Sequence, residues 1–344
     1  MKKSLTIADI ADALHLSRNT VSKALNGKHV SPKTKQLILD TAVQMGYKSF
    51  DLISSSGAGG GPDKKILLLS SVPLLTANYY IYLIRGIMAE AERCGLEILQ
   101  YVFHPGSGFE TVKRYIRQFD VNGIICVEFF DRRSAEEILS LNIPTAFLDI
   151  GCEEEVSGEY DVILSENAEV LRTVCRPLAE AGAERFSFVG NPYNCKGFFE
   201  RYMGLRTALI ELNKPFDETL SILKDNSFPY GSIAAAENFY SSLPQLPDVI
   251  VCANDFIALA VVDALKQCRR ANLQKINVVG FDNVPESRLH SPKLSTVNID
   301  KQALGKQAVA ALLERIQSPR RPRRLIYLKN NFVVRETTPF LGKN

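Results

Sequence analysis

Residues 6–27 read TIADIADALHLSRNTVSKALNG, two helical periods joined by little more than His15-Leu16. Thr6 opens the first period, with Asp9 three residues on as a capping-box partner. Ile7, Ile10, Ala11 and Leu14 then recur on one helical face. Ser17 opens the second, with Val21, Ala24 and Leu25 turned inward, and Asn26-Gly27 closes it, the glycine suiting a left-handed position. Residues 30–47, VSPKTKQLILDTAVQMGY, predict a third helix. Ser31 caps it, Pro32 takes the first position, where no amide hydrogen is needed, and Gly46 stops it. Leu37, Ile38, Thr41, Ala42 and Met45 form its buried stripe.

So tight a turn makes the first two helices cross steeply and leaves the second projecting. Its unpacked positions are Ser17, Arg18, Asn19, Thr20, Ser22 and Lys23. Arg forks onto guanine O6 and N7 and Asn pairs with adenine, while Ser, Thr and Lys suit phosphate oxygens. Charge agrees. Of 41 Lys and Arg and 38 Asp and Glu, residues 1–50 hold eight and three, leaving 33 and 35 for the rest. A basic head on a near-neutral body is the footprint of a polyanion-binding module. The competing reading, a three-helix module with a merely solvated polar face, leaves the turn, the charge and the Arg-Asn-Thr run unexplained.

The run from Thr6 to Tyr47 resembles the head of the lac-repressor-type (LacI/GalR) family of transcription regulators. The resemblance implies base reading by Arg18, Asn19 and Lys23, and phosphate contacts from Ser17, Thr20, Ser22, Asn26, Ser31 and Thr34. It weakens at KSFDLISSSGAGGGPDKK, residues 48–65. Where the family usually has Pro-Asn at the start of a hinge helix, this chain has Ser49 and Phe50, and Ser56 stands where a minor-groove leucine is usual. Residues 54–61 are all Ser, Gly and Ala, a tether composition. Two readings stay open: a helix formed only on DNA, with Leu52 or Ile53 as the apolar wedge, or a head on a loose tether.

From Lys65 onward strands and helices alternate. Predicted strands lie at 66–69, 97–103, 123–127, 145–148, 186–189, 249–252 and 277–280; predicted helices lie near 81–93, 109–119, 134–141 and 168–181. Two β-α series imply two doubly wound parallel-sheet lobes with a cleft between the strand ends. The fold class expected is an all-α helix-turn-helix head plus an α/β sensor of two doubly wound lobes, which the family resemblance implies is periplasmic-binding-protein-like. Its expected parts are a head at 1–48, a linker at 49–64, a first lobe at about 65–165 and 297–323, and a second at about 166–296 and 324–344.

The family resemblance extends through PDVIVCANDFIALAVVDAL, INVVGFDN, SPKLSTVNIDKQALGKQAVAALLERI and FVVRETT to the end of the chain. It implies ligand contacts at Arg201 in GFFERYMG, Asn254 and Asp282. A fork of donors, an amide and a carboxylate suit a small polar or polyhydroxylated ligand, a sugar or related metabolite. Tyr79, Tyr80, Phe129 and Phe256 offer stacking surface, though such rings are more often core, and the chain has no Trp. Asp255 reads as structural, a cap for the following helix. The basic run SPRRPRR at 318–324 reads as an exposed crossover rather than a second nucleic-acid contact.

Other classes fare worse. Seven scattered cysteines without a C-x-x-C pair argue against a disulfide framework or a zinc site, and no cofactor is expected. No nucleophile elbow, P-loop, H-E-x-x-H or dinucleotide fingerprint points to an enzyme. A solute receptor of the same fold would need an export signal and no basic head. The start of the chain lacks a signal-like apolar stretch and no run is long enough to span a bilayer, so a cytoplasmic protein free of membrane is expected. The expected partners are a double-stranded DNA operator, a small-molecule effector and a second copy of the chain as homodimer.

Overall fold

The computed structural model describes residues 7–14, 16–25, 30, 31, 34, 38, 41, 64–72, 74, 78–103, 109–151, 156–224 and 231–342. The chain divides into two compact units, Met1–Asp63 and Lys64–Asn344. In the first, α1 (Ile7–Ala13) and α2 (Arg18–Leu25) are joined by a turn that the Leu16 amide closes onto the Ala11 carbonyl at 2.9 Å. The Ser17 hydroxyl accepts from the Thr20 amide at 3.0 Å, giving α2 the cap its sequence predicts. Ser31 repeats the device on the Thr34 amide at 3.2 Å. Ala11, Val21 and Ile38 are fully buried and form the small core. Thr6, Asn26 and the linker from 49 to 63, with Leu52 and both hinge readings, lie outside the described residues.

The second unit holds two sheets. The first contains β1 (Lys64–Ser70), β2 (Leu96–Val102), β3 (Gly123–Val127), β4 (Thr145–Leu148), β5 (Asp161–Ser165) and β10 (Arg324–Leu328), in the order β10-β5-β4-β3-β1-β2. All its pairings are parallel. The strands β3, β4 and β5 are buried end to end because helices cover both faces. On one face lie α3 (Asn78–Arg93) and α11 (Lys301–Gln317); on the other lie α4 (Phe109–Phe119) and α5 (Arg132–Leu139). The two helices of the first face touch backbone to backbone. A Cβ at Gly86 would stand 2.1 Å from the Gln302 carbonyl oxygen, and one at Gly305 would stand 2.3 Å from that of Leu83.

The second lobe is built on β6 (Phe186–Val189), β7 (Val249–Cys252), β8 (Asn277–Asp282), β9 (Ser295–Asn298) and β11 (Asn331–Val333), in the order β11-β9-β8-β7-β6. Only the pairing of β11 with β9 is antiparallel. Around it pack α6 (Val170–Glu180), α7 (Lys196–Glu211), α8 (Ile233–Ser242) and α9 (Asp255–Gln267). The short helix α10 (Glu286–Leu289) follows β8. The closing Arg-Glu-Thr-Thr stitches the sheet: the Thr337 hydroxyl donates to the Val278 carbonyl at 2.8 Å and accepts from the Ser295 amide at 2.8 Å.

The chain passes between lobes after β5, after β9 and after β10. This corrects the boundary expected at residue 324. The strand 324–328 belongs to the first lobe, where Leu325 pairs with Val162 and Tyr327 with Leu164. It is an edge strand with Leu325 and Tyr327 exposed, so its alternation carries no information about which sheet it joins. The Glu166 carboxylate clasps the first crossing to the start of α6, accepting from the amides of Ala168 at 2.8 Å and Val170 at 3.0 Å. The Asn330 side chain then ties the third crossing to the Glu166 carbonyl at 2.6 Å.

The basic run is held as a crossover. Arg315, itself buried, donates to the carbonyls of Arg321 at 2.9 Å and Pro322 at 3.0 Å, while Arg321 and Arg324 pair with Glu314. Of the cysteines, Cys126, Cys175, Cys195, Cys252 and Cys268 are buried, and Cys152 lies outside the described residues. No described helix is long and apolar enough to cross a membrane.

Candidate functional site

Two surfaces carry the residues singled out from the sequence. On α2, Arg18, Asn19 and Lys23 are exposed while Val21 is buried, so the helix turns one face to its core and the other outward. Ser17 is exposed and Thr20 half-buried, and their hydroxyls lie 2.8 Å apart. Ser31 and Thr34 form the same pair at 2.7 Å. These hydroxyls cluster at helix starts, where backbone amides also point outward, a favourable setting for phosphate oxygens. Ser22 is half-buried beside them.

The second surface is the cleft between the lobes, built where strands end. Arg201 is 6% exposed and stands on α7 between the rings of Phe198 and Phe281, 5.5 and 4.5 Å from their centroids. Its Nε donates to Asn167 Oδ1 at 2.9 Å and its Nη1 to the Ala253 carbonyl at 2.5 Å. Only Nη2 reaches toward Asp282, at 3.9 Å. The fork anticipated for a ligand is therefore largely spent on fixing the arginine itself. Asn254 is likewise committed in part, its Oδ1 capping α9 by accepting from the Ile257 amide at 3.0 Å.

That cap corrects the role expected of Asp255. Asn254 caps the helix, while Asp255 is fully buried and latches β9 to the segment after β8, accepting from the Val284 amide at 2.9 Å and the Thr296 hydroxyl at 2.5 Å. Gly280 makes room for it, since a Cβ there would meet Asp255 Oδ1 at 2.2 Å. Burial, and then the neighbouring Asp282, push the Asp255 carboxyl well above the usual carboxylate range.

Tyr79 sits opposite, from the first lobe, with Lys301 Nζ 5.7 Å from its ring centroid. Burial first, and then the Asp282 carboxylate, hold its hydroxyl well above its ordinary pKa. Lys301 donates to the carbonyls of Asp282 and of Ile299, and desolvation lowers its own pKa. Phe256 is half-buried on the first turn of α9. Tyr80 donates to Glu128 at 2.6 Å, and Phe129 is core, 6.0 Å from the ring of Phe103.

Three acids at this cleft share a pattern, and sequence reasoning found only one of them. Glu128 and Asp149 directly follow β3 and β4, and Asp282 ends β8. All three adopt positive φ, at 66°, 62° and 108°, a conformation uncommon for a residue with a side chain and one that concentrates at functional positions. Burial pushes Glu128 up to about 7 against the hydrogen bond from Tyr80. Asp149 and Asp282 are raised by the same cause, opposed by Arg201. The missed signal is an apolar strand run broken by a single acid: ICVE, AFLD and VGFD.

A periplasmic binding protein-like domain model matches residues 175–338. The HTH-type transcriptional regulator GalR of Lacticaseibacillus casei is 26% identical over 97% of this chain and 99% of its own. Among solved structures, a transcriptional regulator CelR–cellobiose complex covers 97% of this chain and 99% of its own, with a TM-score of 0.69 and 22% identity. The lac repressor dimer bound to operator and the anti-inducer ONPF covers 98% and 99%, with a TM-score of 0.64 and 20% identity. Fold and relatives together define a transcriptional regulator with a periplasmic-binding-protein-like ligand-binding domain, not an enzyme. Over nearly its whole length the chain is similar to HTH-type transcriptional regulators named GalR and PurR, the lac-repressor-type (LacI/GalR) group that its sequence resembles.

Proposed function

We propose that this protein is a cytoplasmic repressor that binds a roughly palindromic operator as a homodimer and is controlled by a small polar ligand, a sugar or related metabolite, held between the lobes. The head spans 1–48, the linker 49–64 and the sensor 65–344. Arg18, Asn19 and Lys23 read bases, with Ser17, Thr20, Ser22, Asn26, Ser31 and Thr34 on phosphates and Leu52 as a wedge if the linker engages the minor groove. Arg201, Asn254, Asp282, Phe256 and Tyr79 receive the effector.

The observation that carries this reading is the exposed Arg18, Asn19 and Lys23 on a capped helix in the basic head. One such head makes too few contacts for useful specificity, and pairing two matches the symmetry of duplex DNA. An effector that prefers one arrangement of the lobes shifts DNA affinity by its differential affinity for the two states. The test is selection of bound sequences from random duplex DNA by the full-length protein at a stated salt concentration. An enriched palindrome supports the reading. Weak, salt-sensitive binding with no enriched motif overturns it.

A further inference from the structure

The cleft gathers four carboxyl groups, Glu128, Asp149, Asp255 and Asp282, around two cations, Arg201 and Lys301. Glu128 and Asp149 follow neighbouring parallel strands whose last paired residues are Val127 and Leu148, which sets the two carboxylates side by side. Asp282 faces them from the other lobe. Its side chain is 9% exposed, yet among the described residues its carboxylate accepts no hydrogen bond, the nearest cation being Arg201 Nη2 at 3.9 Å. A carboxylate so buried, held by one long ion pair alone, keeps its acceptor positions open to a ligand.

The bordering cations are already engaged. Two of the three Arg201 nitrogens bond Asn167 and Ala253, and Lys301 bonds two main-chain carbonyls. Asp149 accepts from the amides of Ile150 at 2.7 Å and Gly197 at 3.3 Å, both through Oδ1, and also from the Cys195 thiol. A Cβ at Gly197 would come within 2.8 Å of its Oδ2. Glu128 accepts from Tyr80 through Oε1. Each acid thus keeps acceptor capacity. Among the described residues no three His, Cys, Asp or Glu converge closely enough to hold a metal ion.

We propose that the cleft takes a small molecule carrying a protonated amine on a hydroxylated frame, with the amine lying among Glu128, Asp149 and Asp282. An ammonium offers three donors and no acceptor, the complement of a wall that presents acceptors. Phosphorylated or carboxylated ligands meet like charge there and are disfavoured. The inference rests on the cleft being the effector site and narrows the chemical class that site accepts. The titratable groups around the amine are Tyr79, Tyr80, Glu128 and Asp149 from the first lobe's strand ends and α3, Lys301 from α11, and Cys195, Arg201 and Asp282 from the second lobe, with Asp255 buried behind Asp282.

The test is calorimetric binding by the full-length protein at neutral pH. The probes are aminosugars and amino alcohols led by glucosamine and glucamine, each matched with its hydroxyl and carboxylate counterpart (glucose and glucuronate, glucitol and gluconate). Amines are expected to bind at least ~10-fold more tightly than their neutral matches, the factor one charge-assisted hydrogen bond supplies. Glu128→Gln and Asp149→Asn should each erase that preference. Without ligand, Glu128→Gln should raise the thermal midpoint by ~2–4 °C at mildly alkaline pH, since it removes one of three acids held together for a ligand. A lowered midpoint makes Glu128 a structural partner of Tyr80 and overturns the proposal. Tighter binding of neutral or anionic probes also overturns it, leaving the cleft as an effector site. Absence of any binding overturns it together with that reading.

Discussion

Asp161 stands at the foot of β5 with no solvent access, and two arginines meet it there. Arg315 Nη2 and Arg324 Nε each lie 2.9 Å from its Oδ1. Burial alone would raise this carboxyl, but the hydrogen bonds from Arg315 and Arg324 hold it below its ordinary value. A group depressed in the folded state stabilises the fold above its unfolded pKa, ~3.9, and that contribution disappears as pH falls through the folded value. Asp161→Asn should therefore cost ~3–5 kcal/mol in urea unfolding at neutral pH, because Arg315 stays buried without its counter-charge. The gap from wild type should narrow below ~pH 4; a gap independent of pH would refute the assignment. In the head, Arg18→Ala should relax base preference at one position in each half-site, at ~1–3 kcal/mol of discrimination. Affinity lost evenly across all sequences would instead make Arg18 a phosphate contact.

At the scale of the element, much could be read in advance. The runs 66–69, 123–127, 145–148, 186–189 and 249–252 are apolar enough to announce fully buried parallel strands, and they are. Partnership was harder. Strand β10 went to the wrong lobe because its pairing with β5 spans β6 to β9 in sequence, and two of its five side chains face water. Strand β5 went unread beside its acidic neighbour segment. At the cleft, Arg201, Asn254 and Asp282 were legible because longer motifs surround them. Glu128 and Asp149 were not, since one acid after an apolar run also describes any strand that ends at the surface. The glycines of α3 and α11 gave no hint that they touch. Gly86→Ala should drive a methyl into the Gln302 carbonyl and wedge those helices apart, at ~1–3 kcal/mol of overpacking. Unchanged urea stability would mean that α11 shifts freely.

For the whole molecule, the proposed sensing makes a separable demand on one side chain. Asp282→Ala should weaken effector binding by ~10-fold or more, as loss of a hydrogen bond to a charged group implies, while operator affinity measured without effector stays near wild type. An unchanged effector response would remove Asp282 from the site. The threefold passage between lobes has a consequence of its own, for the order in which the protein is made. When the ribosome has finished β5, the first lobe still lacks α11 and β10, so the sheet face of Ile66, Leu68 and Ile125 has no cover from α11. The second lobe's β6 to β9 must all be synthesised before that helix emerges, a wait on the order of ten seconds at ordinary elongation rates. Each lobe thus waits on the other, the first for α11 and β10 and the second for β11 after them, and a nascent chain stopped before α11 carries an unfinished apolar sheet rather than a usable half.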